Sequence, residues 1–203
     1  LDWLVEQGYS NYWQVLNAKD YGVPQNRERV FVVSILGEHE PFEFPEKQEL
    51  QLRLKDLLED GVDEKYYLDN EKVRRFLYQV DYQPAEEIKL NQIGNYLDGR
   101  SFGGNPQTGR VYCVNGISPT LNTMQGGNKQ PQVIWQSKNE SSNRIRKLTP
   151  LECWRLMGFK DLHFYKAQEV NSNSQLYKQA GNSIVVPVLE GIFSKMFLQE
   201  ESV

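Results

Sequence analysis

Gln25, Arg27 and Arg29 are the side chains of this sequence whose types and spacing best fit chemistry. Gln25 ends a turn-forming stretch at residues 21–25. Arg27 and Arg29 lead from it into residues 30–35, an almost continuously apolar run typical of a buried strand. At alternate positions of a strand they would project from one face. Two guanidinium groups and an amide on an interior face are unfavourable unless they meet an anion or a carbonyl group. The spacing alone is equally consistent with two arginines in salt bridges to surface acids.

Gly181, Asn182 and Ser183 form a second candidate site, between two predicted helices. A short helix at residues 175–180 should stop at Gly181, and a longer helix should begin after Ser183. The amino end of a helix presents free N–H groups and the positive end of the helix dipole. The pattern therefore predicts either an anion site or simply a capped helix.

The distribution of charge indicates a polyanion contact in the middle of the chain. The net charge of −4 over 203 residues argues by itself mildly against a nucleic-acid partner. Residues 91–147 nevertheless carry +5, whereas residues 1–40, 41–90 and 148–203 carry −3, −5 and −1. One basic segment in an otherwise acidic chain favours nucleic-acid binding at that segment.

Residues 91–132 differ from the rest of the chain in composition. Eight of the 15 glycines lie between Gly94 and Gly127, and no apolar periodicity is sustained, which predicts loops and short strands. The alternative is a flexible linker. Against it stand three strand-like runs that could fold against each other, at residues 111–114, 117–121 and 133–135.

The remaining elements are predicted to be helices that pack rather than react. Residues 148–158 carry a capping box of Thr149 and Glu152 with Pro150 between them. Residues 50–60 have helical spacing of leucines, and residues 70–80 form a helix with Asp69 as the expected cap. Residues 1–8 look like the end of a helix. A hairpin around Gln25 should follow and close near Gly37. Two parallel-style strands with helices on either side would fit an α/β sheet, but two strands cannot stand alone.

Three motifs in order resemble the DNA cytosine-5 methyltransferase family. They are Asn17-Ala-Lys-Asp-Tyr-Gly-Val-Pro followed by Gln25-x-Arg27-x-Arg29, then Arg146-Lys-Leu-Thr-Pro through Met157-Gly-Phe159, and finally Gln179-Ala-Gly-Asn-Ser-Ile184. The resemblance covers nearly the whole chain but only the C-terminal part of the family. It implies an α/β fold: the end of a Rossmann-like methyltransferase sheet plus a small, loop-rich, mixed α+β target recognition domain. The expected domains are residues 1–40 (catalytic strands), 41–143 (target recognition) and 144–203 (helices returning to the catalytic domain).

The resemblance also implies residue roles in methylation of carbon 5 of a cytosine extruded from duplex DNA. Arg29 would hydrogen-bond the carbonyl oxygen of the cytosine, while Gln25 and Arg27 would fix the strand and a neighbouring phosphate or catalytic loop. The Gly181-Asn182-Ser183 turn would close over S-adenosylmethionine. The family places DNA recognition in the glycine-rich segment, where amides and guanidinium groups can read base edges. The expected DNA-binding residues are Arg100, Gln107, Arg110 and Gln125, with Thr120 on a phosphate.

The sequence departs from the family in lacking Pro-Cys-Gln, Glu-Asn-Val and a glycine-rich cofactor loop. Neither Cys113 nor Cys153 lies where the nucleophile belongs, so this chain alone is expected to be inactive. Because it begins at Leu1 rather than Met, it is expected to be a fragment of a complete enzyme, or otherwise one subunit of a split one. Its expected partners are double-stranded DNA and the missing N-terminal part. We expect a cytoplasmic, nucleoid-associated bacterial protein of a restriction-modification system, without a membrane segment or a metal.

Two other functions fit the same motifs. One is a DNA-binding or scaffold module that has lost catalysis, against which the retained Gln25, Arg27, Arg29, Asn182 and Ser183 argue. The other is methylation of cytosine in RNA, for which the glycine-rich insert is less suited than for duplex DNA.

Overall fold

The first sheet is a two-stranded antiparallel hairpin, seen in a computed structural model that describes residues 1–97, 108–124, 129–136 and 142–198. The short helix α1 (Asp2–Glu6) leads into β1 (Tyr9–Asn17), which pairs with β2 (Glu28–Leu36) in a register from Tyr9↔Leu36 to Asn17↔Glu28. The predicted hairpin around Gln25 is therefore confirmed, whereas the expected parallel style of its strands is wrong. The connection is too short for the crossover of a dozen or more residues that parallel strands need.

The hairpin is apolar on both faces. Leu16 and Val33 point into the main core, whereas Trp13, Val30 and Val32 on the other face are exposed, Trp13 by 64%. A two-stranded sheet is marginal without further packing. The exposed face thus leaves apolar surface that the described residues do not cover.

The second sheet has five strands in the order β3-β7-β6-β5-β4. All neighbours are antiparallel except β5 and β6, which are parallel. Helix α2 (Glu71–Gln79) packs its buried Val73 in a small separate core with Val111, Ile134 and Ile145. The strand bounds are β3 (Tyr67–Leu68), β4 (Gln92–Asn95), β5 (Arg110–Cys113), β6 (Gln132–Trp135) and β7 (Arg144–Lys147).

Two of the three strand-like runs of the glycine-rich segment are confirmed as β5 and β6. The third, at residues 117–121, is not a strand of the sheet but forms isolated bridges from Ile117 to Leu90 and from Ser118 to Gln25. The run therefore connects the second sheet to the turn before β2. The domain boundaries after residues 40 and 143 stay predictions. Strand β7 begins directly after the second boundary, at Arg144.

The helix predicted at residues 50–60 is wrong, since only a 3-10 turn at Leu54–Leu57 forms. The N–H groups of Leu54 and Lys55 donate instead to the carbonyls of Gly116 and Val114, both at 2.8 Å. These long-range hydrogen bonds displace a continuous helix. In α2 the cap is Asn70, whose side chain accepts from Val73 N, and not Asp69, which pairs with Arg74.

Four helices complete the main core: α3 (Pro150–Arg155), α4 (Asp161–Gln168), α5 (Asn173–Asn182) and α6 (Val186–Phe197). The predicted capping box of α3 is confirmed, because Thr149 Oγ1 accepts from Glu152 N and the Glu152 carboxylate accepts from Thr149 N. Gly158, with φ +82°, ends this motif where a Cβ would lie 2.3 Å from Pro187. Leu151, Trp154 and Met157 are buried as expected.

The described residues also bear on membranes and metals. No helix among them is long and apolar enough to cross a membrane. Within the same ranges no three His, Cys, Asp or Glu side chains gather where they could hold a metal ion.

Candidate functional site

Gln25 lies before β2 and is completely buried. Its Nε2 donates to the carbonyl oxygen of Leu156 at 2.7 Å, and its Oε1 accepts from Leu121 N at 3.1 Å. The amide thus joins the end of α3 to the 117–121 segment. Gln25 is bonded to the protein's own backbone rather than directed at a ligand.

Arg27 also precedes β2 and is only 5% exposed. Its Nη1 donates to Leu121 O at 2.8 Å, and its Nη2 donates to the carbonyls of Gly181 and Ser183, both at 3.0 Å. Burial, and secondarily the positive charge of Arg29, lower the pKa of Arg27 to about 10. The group is therefore still a cation at neutral pH, and three carbonyl dipoles hold it.

Arg29 is the one member of the trio that lies on β2, and it is exposed. The prediction that all three project from one strand face is therefore wrong. The strand begins only at Glu28, and the chain before it turns Gln25 and Arg27 inward to backbone partners. Arg29 Nη1 donates to Glu28 O at 2.6 Å. This hydrogen bond to a neighbouring backbone carbonyl leaves the guanidinium largely in solvent.

Arg29 lines a cavity of about 330 Å³, which we call the apolar cavity. Arg27, Asn182 and Ser183 contribute its polar groups. A mostly apolar hollow with a few polar groups is the usual form of a small-molecule site. The rest of its lining is Leu16, Ala18, Val30, Phe31, Val32, Ile184, Val185 and Val188.

The Gly181-Asn182-Ser183 turn lies at the carboxyl end of α5, because α5 runs to Asn182 and α6 begins only at Val186. Of the two alternatives that the sequence left open, an anion site at a helix amino end is not supported at these residues, and their role toward the cofactor stays a prediction. The groups presented there are carbonyls, and those of Gly181 and Ser183 are taken up by Arg27. Gly181 itself is buried, Asn182 is exposed, and Ser183 Oγ donates to Ile184 O at 3.2 Å.

A second cavity of about 520 Å³, which we call the large cavity, lies between the turn before β2 and the five-stranded sheet. Thr120 and Arg110 line it, together with Asn26. The Thr120 hydroxyl donates to Asn26 O. The three other residues predicted to bind DNA, Arg100, Gln107 and Gln125, lie outside the described residues.

The basic segment is partly neutralised by this chain. Arg144 donates two hydrogen bonds to the Glu64 carboxylate, and Arg146 is fully buried against Glu152. Arg110 and Lys129 line the large cavity. The charge available to a polyanion is therefore smaller than the +5 of the sequence.

Sequence reasoning missed several polar residues that line the large cavity. Gln130 Oε1 is a buried acceptor that receives no hydrogen bond from the described part of the chain. A donor on a bound ligand could satisfy it. No local sequence pattern distinguishes these residues from other polar residues of the segment. They are Asn26, Thr108, Asn122, Thr123, Gln130 and Gln132.

Both cysteines are buried. Cys153 is fully buried in α3, where burial and the charge of Glu152 raise the pKa of its thiol. Cys113 is buried at the end of β5, with its sulfur 3.4 Å from the Tyr82 hydroxyl. Neither cysteine lines the apolar cavity or the large cavity.

The C-5 cytosine-specific DNA methylase family matches residues 1–198 of the chain. The type II methyltransferase M2.ScrFI of Lactococcus lactis subsp. cremoris is 41% identical over 96% of this chain and 47% of its own length. The type II methyltransferase M.HhaI of Haemophilus parahaemolyticus is 35% identical over 92% and 53%. The orphan methyltransferase M.SPBetaI of Bacillus phage SPbeta is 34% identical over 93% and 59%. The chain thus spans about half the length of these relatives.

Solved structures agree on the fold. The methyltransferase EhMeth of Entamoeba histolytica superposes with a TM-score of 0.65 at 15% identity, over 98% of this chain and 57% of its own. The Dnmt2 methyltransferase of S. pombe gives 0.62 at 17% identity, over 94% and 58%. The predicted α/β methyltransferase fold is confirmed.

Proposed function

This chain belongs to the C-5 cytosine-specific DNA methylase family, and from that premise we propose that it is the part of a DNA (cytosine-5-)-methyltransferase that recognises a short duplex sequence and completes the pocket for the extruded cytosine. The observation that carries the proposal is the arrangement of two cavities around Arg27. The large cavity is lined by Thr120 and Arg110, and the apolar cavity by Arg29 and Asn182. Duplex DNA would occupy the first, and the base and cofactor would border the second.

The large cavity has the chemistry that a duplex needs. Arg110 and Lys129 can contact phosphates or guanine edges, and the orphaned Gln130 acceptor can receive an exocyclic amine of a base. The Thr120 hydroxyl donates to Asn26 O, and it can reorient to donate to a phosphate oxygen instead. These groups support recognition of DNA at this cavity.

Arg29 is the residue we assign to the cytosine. Its exposed guanidinium would donate to the carbonyl oxygen of the extruded base and stabilise charge that develops on the ring during the reaction. The nucleophile and the proton donor would come from the N-terminal part of the enzyme. Gln25 and Arg27 would act by positioning, since both are bonded to backbone groups.

S-adenosylmethionine, on which the family depends, would supply the methyl group. The residues present fit one wall of its site, because the apolar cavity offers aliphatic side chains for an adenine ring and the exposed Asn182 amide for hydrogen bonding. The carbonyls of Gly181 and Ser183 are already occupied by Arg27. Asn182 and Val185 would therefore contact the cofactor, while Gly181 would serve packing.

The exposed face of the β1–β2 hairpin would receive the N-terminal part. Trp13, Val15, Val30 and Val32 lie there side by side, each at least 47% exposed. Burial of such apolar side chains contributes about 25 cal/mol per Å², so a sheet or helix docked on them would be stabilised. The N-terminal part, in cis or in trans, would also supply the nucleophile that acts beside Arg29.

The decisive experiment measures transfer of a radiolabelled methyl group to cytosine in duplex DNA. The 203-residue chain should transfer none, and the N-terminal part, fused to it or added separately, should establish activity. A chimaera with the N-terminal half of the Lactococcus lactis relative provides a source for that part. Trp13→Lys, on the docking face, should abolish reconstitution in trans, whereas Tyr78→Lys, on the exposed face of α2, should not.

Three outcomes would contradict the proposal. Robust methylation by the chain alone would show that the nucleophile is present in it. Binding of duplex DNA without methylation in the reconstituted protein would favour the scaffold function. Methylation of RNA in preference to the matching DNA duplex would transfer the assignment to an RNA cytosine methyltransferase.

A further inference from the structure

We propose that Arg27 and Gly181 form a junction that couples the two cavities, so that a ligand in the apolar cavity changes the affinity for DNA in the large cavity, and the reverse. This inference rests on the proposed function, because it takes the two ligands to be the cofactor and duplex DNA. It assigns Arg27 the role of a positioning residue acting on both sites.

The DNA side of the junction is the segment 119–123, which contributes Pro119, Thr120, Asn122 and Thr123 to the large cavity. Leu121 in its middle is buried and does not line the cavity. Both of its backbone groups are held from the turn before β2: the N–H donates to Gln25 Oε1, and the carbonyl accepts from Arg27 Nη1. The position of Thr120 is therefore set through Leu121.

The cofactor side is the turn that follows α5. Arg27 Nη2 donates to the carbonyls of Gly181 and Ser183, and Ser183 and Asn182 line the apolar cavity. One guanidinium thus links a segment facing DNA to a turn facing the second ligand. The planar group has a fixed geometry, so its three acceptors cannot move independently without losing a hydrogen bond.

A direct backbone contact reinforces this link. A Cβ placed on Gly181 would lie 2.1 Å from Asn122 O and 2.7 Å from Thr123 Cα. The end of α5 and the DNA-side segment therefore pack backbone against backbone, with no flexible side chain between them to absorb a displacement. A shift of the turn must be passed to the segment 119–123.

The energetic reason for the coupling is the burial of the Arg27 cation. A buried donor that loses its acceptor bears the full cost of desolvation. A ligand that orders the turn fixes the Gly181 and Ser183 carbonyls around Arg27, and this favours the position of Leu121 O in which Arg27 keeps all its acceptors. A ligand that orders the DNA-side segment has the same effect on the turn. Binding coupling is reciprocal by thermodynamic necessity, and typical factors are about 5- to 150-fold.

The test measures both affinities in the reconstituted protein, using S-adenosylhomocysteine and cognate duplex as probes. Calorimetry gives the Kd of S-adenosylhomocysteine with and without duplex, and anisotropy gives the Kd of duplex with and without S-adenosylhomocysteine. The unmodified protein should show the same coupling factor, about 5-fold or more, in both directions. In Arg27→Lys the factor should fall to about 1–2, since an ammonium cannot reproduce the planar fork.

Arg53→Lys is the matched control. Arg53 also donates to three backbone carbonyls, those of Ala85, Glu86 and Asn115, but lines neither cavity. Its substitution should leave the coupling factor unchanged. A factor that persists in Arg27→Lys, or falls equally in Arg53→Lys, overturns the proposal.

A measurement on the unmodified protein keeps the proposal testable should Arg27→Lys fail to fold. S-adenosylhomocysteine alone should slow hydrogen exchange of the Leu121 amide about fivefold or more, although Leu121 does not line the apolar cavity. An unchanged exchange rate overturns the junction. Methylation by the same preparation tests the proposed function separately, so an active enzyme without coupling would refute only this inference.

Discussion

Arg146 and Glu152 form an ion pair from which solvent is completely excluded, with Nη1 2.9 Å from Oε2 and Nη2 2.7 Å from Oε1. Arg146 belongs to β7 of the five-stranded sheet, and Glu152 to α3 of the main core. The same carboxylate accepts from the backbone N–H groups of Glu59 and Thr149. One side chain thus ties the five-stranded sheet to the helices of the main core.

Removal of the Glu152 carboxylate should strongly destabilise the chain. Glu152→Ala leaves Arg146 buried without its counter-ion, for which the expected cost is about 3–5 kcal/mol in the free energy of unfolding. Urea denaturation followed by circular dichroism measures it. Glu64→Ala, which breaks the exposed pair with Arg144, is the matched control and should cost less than about 1 kcal/mol. Equal costs in the two variants would contradict the burial argument.

Arg29→Ala should slow methylation by the reconstituted enzyme while leaving the fold intact. One charged donor in a desolvated pocket contributes about 2–4 kcal/mol to lowering the barrier, which corresponds to a rate loss of roughly a hundredfold or more. Arg29→Lys should recover only part of the rate because its ammonium lacks the planar pair of donors. Single-turnover kinetics with unchanged thermal unfolding check this. A wild-type rate in Arg29→Ala would leave Arg29 with no catalytic role.

Arg110→Ala should weaken binding to duplex DNA. If Arg110 reads a guanine edge, the loss should be about 1–3 kcal/mol and should relax the preference at one base pair. If it contacts a phosphate, all duplexes should weaken alike and the salt dependence should become shallower. Anisotropy titrations at several salt concentrations distinguish the two, and Arg144→Ala serves as the control because Arg144 is paired with Glu64. An unchanged duplex affinity in Arg110→Ala would contradict the placement of the duplex in the large cavity.

Cys153 should resist alkylation in the folded chain. Its pKa is raised by burial, so the thiol stays protonated at pH 8, and the reactive thiolate would form only at much higher pH. Iodoacetamide at pH 8 should label Cys153 in urea but not in native buffer, as followed by mass spectrometry. A duplex carrying 5-fluorocytosine should likewise form no covalent adduct with this chain. Either reaction in the native state would reopen the assignment of the nucleophile to another part of the enzyme.

Features with a local physical cause could be predicted from the residues alone. The capping box of α3 involves groups three residues apart. The run of β-branched residues in β2 predicts a strand from the side-chain types alone. The glycine at position 158 predicted the end of the α3 motif, because glycine adopts a left-handed conformation without steric cost, and its φ is +82°. The order of the three motifs also sufficed to identify the family.

The contacts of most candidate residues depend instead on packing between distant parts of the chain. Arg27 finds its acceptors 94, 154 and 156 residues away, and Gln25 finds one 131 residues away. No pattern over a few turns of helix or strand encodes such partners, so the same residue types could have bound phosphate, carboxylate or backbone. Arg146 is an example: it is one of the positive charges of the basic segment, but it is buried in an ion pair with Glu152. Local sequence set which groups were available, and packing at long range determined which of them remained free to act.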